Sequence, residues 1–150
     1  MWQNKLSGKI PFEIGKLHKL QGLSLDTNNF YGNIPSSIGN LTLLIELYLY
    51  ENNLQGNILG LSKYQNLIFL IVENNNLSGL ISPQIIGLSC SPIFLYFSAN
   101  QFTGVLPMEI GKFINLQELD VSDNKLFGKI LASLGSCVKL EDLGMGRNLL

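Results

Sequence analysis

The chain repeats itself, and the period decides what it can fold into. Asn4, Asn28, Asn52, Asn75, Asn100, Asn124 and Asn148 fall in one column of the pattern Asn-x-apolar-x-Gly, and successive subtraction gives spacings of 24, 24, 23, 25, 24 and 24 residues. The second position after each Asn reads Leu6, Phe30, Leu54, Leu77, Phe102, Leu126 and Leu150, and the glycine column reads Gly8, Gly32, Gly56, Gly79, Gly104 and Gly128. A period in this range means a solenoid. One repeat cannot bury its apolar face alone, whereas stacked coils share a continuous core.

Upstream of each Asn, apolar residues recur five and three positions earlier: Leu23/Leu25, Leu47/Leu49, Leu70/Val72, Leu95/Phe97, Leu119/Val121 and Leu143/Met145. A separation of two puts both side chains on one face of a short strand. A further inward column, eight before the Asn, holds Leu20, Leu44, Leu67, Leu116 and Leu140, with Pro92 as its exception. After the glycine come Ile10-Pro11, Ile34-Pro35 and Leu106-Pro107. Proline lacks a backbone donor and resists continuing a ladder, so this part reads as extended or turn structure. Leu59, Ser82 and Leu131 replace that proline, and the third interval is one residue short and the fourth one long, so the convex geometry of those coils is expected to vary.

These columns resemble the plant-specific leucine-rich repeat, L-x-x-L-x-x-L-x-L-x-x-N-x-L-x-G-x-I-P-x-x-I-G-x-L, with a near-complete copy from Leu17 to Leu41, and the resemblance covers essentially the whole chain. It implies an α/β repeat solenoid: a right-handed horseshoe arc of about six repeats of 24 residues. A parallel β-sheet would line its concave face, and 3₁₀ or irregular segments the convex side. It also implies an internal ladder of the Asn side chains Asn4, Asn28, Asn52, Asn75, Asn100, Asn124 and Asn148. Buried amides need partners for every donor and acceptor, which gives the ladder an independent physical reason. The seven Asn are therefore read as structural.

The organisation is a single segment over residues 1–150. It opens at Met1-Trp2-Gln3-Asn4 inside a repeat and stops at Asn148-Leu149-Leu150 just after a strand, so both end caps of a solenoid are expected to be missing and a piece of a larger parent is the expectation. Ten basic and 11 acidic residues give a net charge of -1, with no positive excess to draw the chain to nucleic acid or an anionic membrane. No apolar run approaches the roughly 20 residues that span a bilayer, and no signal-peptide pattern opens the chain. Cys90 and Cys137 sit in near-equivalent convex positions two coils apart, about 10 Å, which exceeds the roughly 7 Å limit for a disulfide. They read as separate small core residues. Asn40-Leu41-Thr42 and Asn76-Leu77-Ser78 are N-glycosylation sequons outside the expected strands, which favours a secreted parent.

Catalytic templates fail. His18 lies in a convex segment without a nucleophile in register, Ser122-Asp123-Asn124-Lys125 collapses two separate signatures into one segment containing a ladder Asn, and Gly144-Met145-Gly146 lacks the third glycine and helix of a phosphate loop. No catalytic residue, metal ligand or cofactor is assigned. The informative positions lie six, four and two before each Asn, facing out from the concave sheet. In the three central coils they read Glu46, Tyr48, Tyr50; Phe69, Ile71, Glu73; and Phe94, Tyr96, Ser98. Six of these nine are aromatic or aliphatic, against none of Gly22, Ser24, Asp26, Glu118, Asp120, Ser122, Asp142, Gly144 and Gly146, whose coils read as solvated. Outward aromatics on adjacent strands mark an interaction surface, here about 10 Å by 13 Å.

The expected site is thus the concave patch Tyr48, Tyr50, Phe69, Ile71, Phe94 and Tyr96, with Glu46, Glu73, Glu118 and Asp120 favouring a partner that carries basic groups. The resemblance implies a protein or peptide ligand, with a co-receptor as a further partner and no contact with nucleic acid or, by this segment, with membrane. It implies a glycoprotein of signalling or defence, a receptor-like protein or the ectodomain of a receptor-like kinase, at the extracellular face of the plasma membrane or the cell wall. A serine/threonine kinase would be a separate domain of the parent. Two other readings stand beside it: an inhibitor of cell-wall-degrading enzymes or structural protein built on the same repeat, and a non-functional gene fragment.

Overall fold

Residues 3–63, 66–82 and 92–150 are described in a computed structural model. Alternation of inward and outward residues upstream of the Asn column produces six short parallel strands: β2 (Gly22–Ser24), β4 (Glu46–Tyr48), β6 (Phe69–Ile71), β8 (Phe94–Tyr96), β10 (Glu118–Asp120) and β12 (Asp142–Gly144). They form one sheet in sequence order, and the pairing runs Leu23, Leu47, Leu70, Leu95, Leu119, Leu143 across it. An unbroken row of inward leucines follows. Leu23, Leu47, Leu70, Leu95 and Leu119 are buried, whereas Leu143 in β12 is 40% exposed.

The segment after each Asn is more regular than the irregular return path expected from the sequence. A second six-stranded parallel sheet runs along the flank: β1 (Ser7–Gly8), β3 (Asn29–Asn33), β5 (Asn53–Gly56), β7 (Asn76–Leu80), β9 (Gln101–Gly104) and β11 (Lys125–Leu126). β3, β5, β7 and β9 each contain both the Leu or Phe two after the Asn, buried at Phe30, Leu54, Leu77 and Phe102, and the glycine of the repeat at positive φ. Chains stacked at one coil spacing can pair wherever they run extended, and this stretch is extended before the glycine turns it.

Proline then opens a 3₁₀ turn. Pro11, Pro35 and Pro107 stand in extended conformation immediately before Phe12–Lys16, Ser36–Asn40 and Met108–Lys112, and Leu131 adopts the same conformation before Ala132–Ser136. Leu131 therefore substitutes for proline without altering the turn. The shortened coil does differ: Leu59–Lys63 starts seven residues after Asn52 (59 − 52), where the others start eight after their Asn (for instance 36 − 28). Pro92, the exception in the inward column, is buried. Cys137 is buried and free, while Cys90 lies outside the described residues.

The Asn column fastens the coils together. The Asn52 amide donates to the Leu49 and Tyr50 carbonyls of its own coil and to Leu25 O of the preceding one at 3.1 Å, while its Oδ1 accepts from Phe30 N at 3.0 Å. Asn75, Asn100 and Asn124 repeat this arrangement one coil further on each time, and Asn148 repeats it in a less buried setting. Asn28 accepts from Leu6 N at 3.1 Å. Asn4, in the first coil, is exposed, and its backbone N–H donates to Thr27 O. Polar groups that would otherwise be orphaned in the core are thus met by a side chain. Among the described residues no helix is long and apolar enough to cross a membrane.

Candidate functional site

The outward positions of the first sheet make a surface that changes character along the solenoid. Glu46, Tyr48, Phe69, Ile71, Phe94, Tyr96, Glu118 and Asp120 sit at the ends of β4, β6, β8 and β10, with Tyr50 and Glu73 two residues beyond their strands. Parallel register places Glu46, Phe69, Phe94 and Glu118 in one row and Tyr48, Ile71, Tyr96 and Asp120 in the next. Sequence-expected residues of the patch are thereby brought into contact. Tyr48 and Phe69 are tilted against each other with ring centroids 6.2 Å apart, and Phe69 stacks on Phe94 at 4.9 Å. All six apolar members are half-buried. They cover one another, so this surface is less open than outward alternation alone suggests.

Asp26 departs from the sequence reading. Its coil reads as solvated, yet Asp26 is 3% exposed. The Ser24 hydroxyl donates to it, and Tyr50 from the next coil is hydrogen-bonded to it as well. Sequence offers one signal for this, an acidic side chain in the same column as a tyrosine of the adjacent coil, and it is a weak signal without the fold. Ser24, Asp26, Tyr48, Tyr50, Ile71, Glu73 and Tyr96 together line an open depression of about 560 Å³. Beyond it, Glu73, Tyr96, Glu118, Asp120 and Asp142 surround a second, more polar hollow of about 260 Å³.

The electrostatics of the face are one-sided. Its 18 outward positions, three per coil from Gly22 to Gly146, hold six acids (Asp26, Glu46, Glu73, Glu118, Asp120 and Asp142) and no Lys or Arg. Hydroxyl and amide donors meet several of them: Tyr96 donates to Glu118, Ser98 to Glu73 at 3.2 Å, and Ser122 N to Asp120 at 2.9 Å. Burial raises the Glu73 pKa, with repulsion from Asp120 and Glu51 adding to it and the Ser98 bond opposing. The tyrosines shift the same way. Tyr96 is raised by burial and by Glu118, Tyr48 by burial and Glu46, and Tyr50 by burial and Asp26. A phenol beside carboxylates keeps its proton and remains a donor.

Other expected positions lie elsewhere. Asn40 and Asn76 are both exposed, one closing a 3₁₀ turn and the other opening β7. His18 is exposed, with its ring 3.4 Å from the Asn40 carbonyl. Asp123 of the overlapping serine motif pairs with Arg147, which lowers its pKa, and Asn124 is in the ladder. Among the described residues no group of three or more His, Cys, Asp or Glu is placed to hold a metal ion.

Comparison with known proteins places the repeat. The Leucine Rich Repeat family model matches residues 19–41 and 115–137. Receptor-like protein 39 of Arabidopsis thaliana is 33% identical over 149 residues, which is 98% of this chain and 17% of that protein. The chain therefore spans about a sixth of the curated relative it matches. The Arabidopsis receptor kinase HAESA, solved with the peptide hormone IDA and the co-receptor SERK1, superposes with a TM-score of 0.93 at 31% identity, covering 99% of this chain and 25% of that one. A chain of the BIR3–SERK2 complex from Arabidopsis thaliana gives a TM-score of 0.75 at 32% identity, covering 87% of this chain and 69% of that one.

Proposed function

The chain belongs to the plant leucine-rich-repeat receptor family, and on that premise we propose that it is a ligand-recognition segment whose concave face binds a peptide or an extended protein segment. The observation that carries this reading is the contact of Tyr48, Phe69 and Phe94 on three adjacent strands, beside a depression rimmed by carboxylates that no basic residue of that face offsets. Aromatic side chains offer large apolar area with few torsions to freeze, which is the economy of a binding anchor. Tyr48, Tyr50, Phe69, Ile71, Phe94 and Tyr96 supply that area. Glu46, Glu73, Glu118 and Asp120 select a ligand carrying basic groups.

HAESA is solved with a peptide hormone and a co-receptor, which supports a peptide ligand here and a co-receptor as a second protein partner. The parent acts at the cell surface or wall in signalling or defence, with glycans on Asn40 and Asn76. Any kinase is a separate domain, and no chemistry is assigned to these residues. The test is to replace Tyr48, Phe69 and Tyr96 by Ser in the full-length parent and measure partner capture. Loss of affinity with an unchanged circular dichroism spectrum is expected, and unchanged affinity would remove the assignment.

A further inference from the structure

The depression bounded by Asp26 and Glu73 has a composition that a purely apolar anchor does not need. Its carboxylates stand just beyond β2 and β6, two strand steps or about 10 Å apart, and Tyr48 and Tyr50 of the intervening coil lie between them. Tyr96 closes the far side. Asp26 is almost wholly buried, and its hydrogen-bond partners Ser24 and Tyr50 are neutral. Glu73 is half-buried and held by the neutral Ser98. Among the described residues the one ion pair, Arg147 with Asp123, is elsewhere.

Two carboxylates partly withdrawn from water without a cation are unfavourable in the free protein, and a ligand cation would relieve both. Tyrosine faces favour a cation over a neutral group, and a planar guanidinium stacks on them better than a compact ammonium does. The volume of about 560 Å³ admits a long side chain together with a neighbouring residue. We propose that this depression is a subsite for an arginine side chain of the ligand, with Asp26 and Glu73 as its counter-charges and Tyr48, Tyr50 and Tyr96 as its walls. The proposal rests on the concave-face reading above and refines it: the apolar ligand residue lies over Phe69 and Phe94, and the arginine lies toward β2 and β4.

Two probes separate the charge from the shape: N-acetyl-Phe-Arg amide and its citrulline counterpart, which keeps the length and planarity of arginine and removes the charge. Each is titrated into the full chain while the tyrosine ring ¹H–¹³C resonances are followed. The arginine probe should bind about tenfold or more tightly than the citrulline probe, as expected for a close charge pair. Glu73→Gln and, separately, Asp26→Asn should each shrink that gap, and Glu141→Gln, an exposed carboxylate outside the depression, should leave it intact. Because Asp26 is buried and its variant could unfold the first coils, Glu73→Gln carries the test independently. Equal affinity for the two probes, no movement of the tyrosine resonances, or a gap that survives both substitutions would overturn the subsite. Equal affinity for the probes together with capture lost in the triple serine variant would reject the subsite alone, whereas undiminished capture by that variant would reject the concave-face reading and the subsite with it.

Discussion

Phe69 and Phe94 stack across one strand step with ring planes 6° apart, on the outward face of the sheet. Offset aromatic pairs are worth about 0.5–1.5 kcal/mol beyond the area they bury. A double-mutant cycle with Phe69→Leu and Phe94→Leu, measured by urea denaturation, should return a coupling in that range. Coupling indistinguishable from zero would mean that the rings stabilise nothing jointly, leaving ligand contact as their only energetic role.

Asn75 should be the more costly loss. Its amide meets the carbonyls of Leu49, Val72 and Glu73, and its Oδ1 meets Leu54 N at 3.0 Å. Asn75→Ala leaves several of these buried groups unpaired, at about 3 kcal/mol or more in total. Asn148 makes the same bonds where water can replace them, so Asn148→Ala should cost about 1 kcal/mol. Equal destabilisation of the two variants in chemical denaturation would contradict the ladder as a source of core stability.

The ladder and the first sheet were legible in the sequence because both follow from period and alternation, which are local. Leu47 turns inward and Tyr48 outward for the same reason in every coil. The second sheet is not legible there, since Asn29–Asn33 carries only a short alternation with Gly32 inside it, and its pairing depends on coil stacking rather than on its own residues. Asp26 is illegible for a related reason: its neighbour Tyr50 stands one coil on in the same column, and whether the two meet depends on how the coils stack.

Gly111 illustrates the same dependence on neighbours. A Cβ built there would lie 2.4 Å from the Ser133 carbonyl oxygen of the following coil, a backbone atom that cannot swing aside. Gly111→Ala should therefore destabilise by about 1–3 kcal/mol through forced separation of the two 3₁₀ turns. Gly135 has open space at the equivalent point, so Gly135→Ala should be near neutral. A thermal melt that ranks the two variants the other way would reject the packing argument.

Ala99 offers a gain in stability. The residue before each ladder Asn takes a left-handed conformation, and Ala99 does so at φ 50°, where Asn74 and Asp123 occupy the equivalent place in neighbouring coils. A non-glycine residue pays about 1–2 kcal/mol there, less for Asn, whose side chain bonds locally. Ala99→Asn should raise the denaturation midpoint, equivalent to about 0.5–1 kcal/mol, without changing the slope. A lowered midpoint would show that Ala99 is kept for packing instead.

Glu73 gives the chain a stability that depends on pH in a stated direction. Burial, then repulsion from Asp120 and Glu51, raises its pKa above the ordinary 4.5, while the Ser98 bond opposes. The unfolded chain keeps the ordinary value, so above the folded pKa the native state carries an ionised carboxylate at a penalty the unfolded state lacks. That penalty lifts as pH falls through the folded pKa and is gone below the unfolded one. Glu73→Gln preserves an acceptor for Ser98 and removes the charge. The variant should melt at a higher temperature than the parent at pH 7, and the two melting curves should converge below about pH 4. The same titration governs ligand binding: protonating Glu73 removes a counter-charge, so the preference for arginine over citrulline should decline with acidification, beginning at a higher pH than an ordinary glutamate would dictate. A difference in melting temperature that grows on acidification would reverse the sign and exclude this role for Glu73.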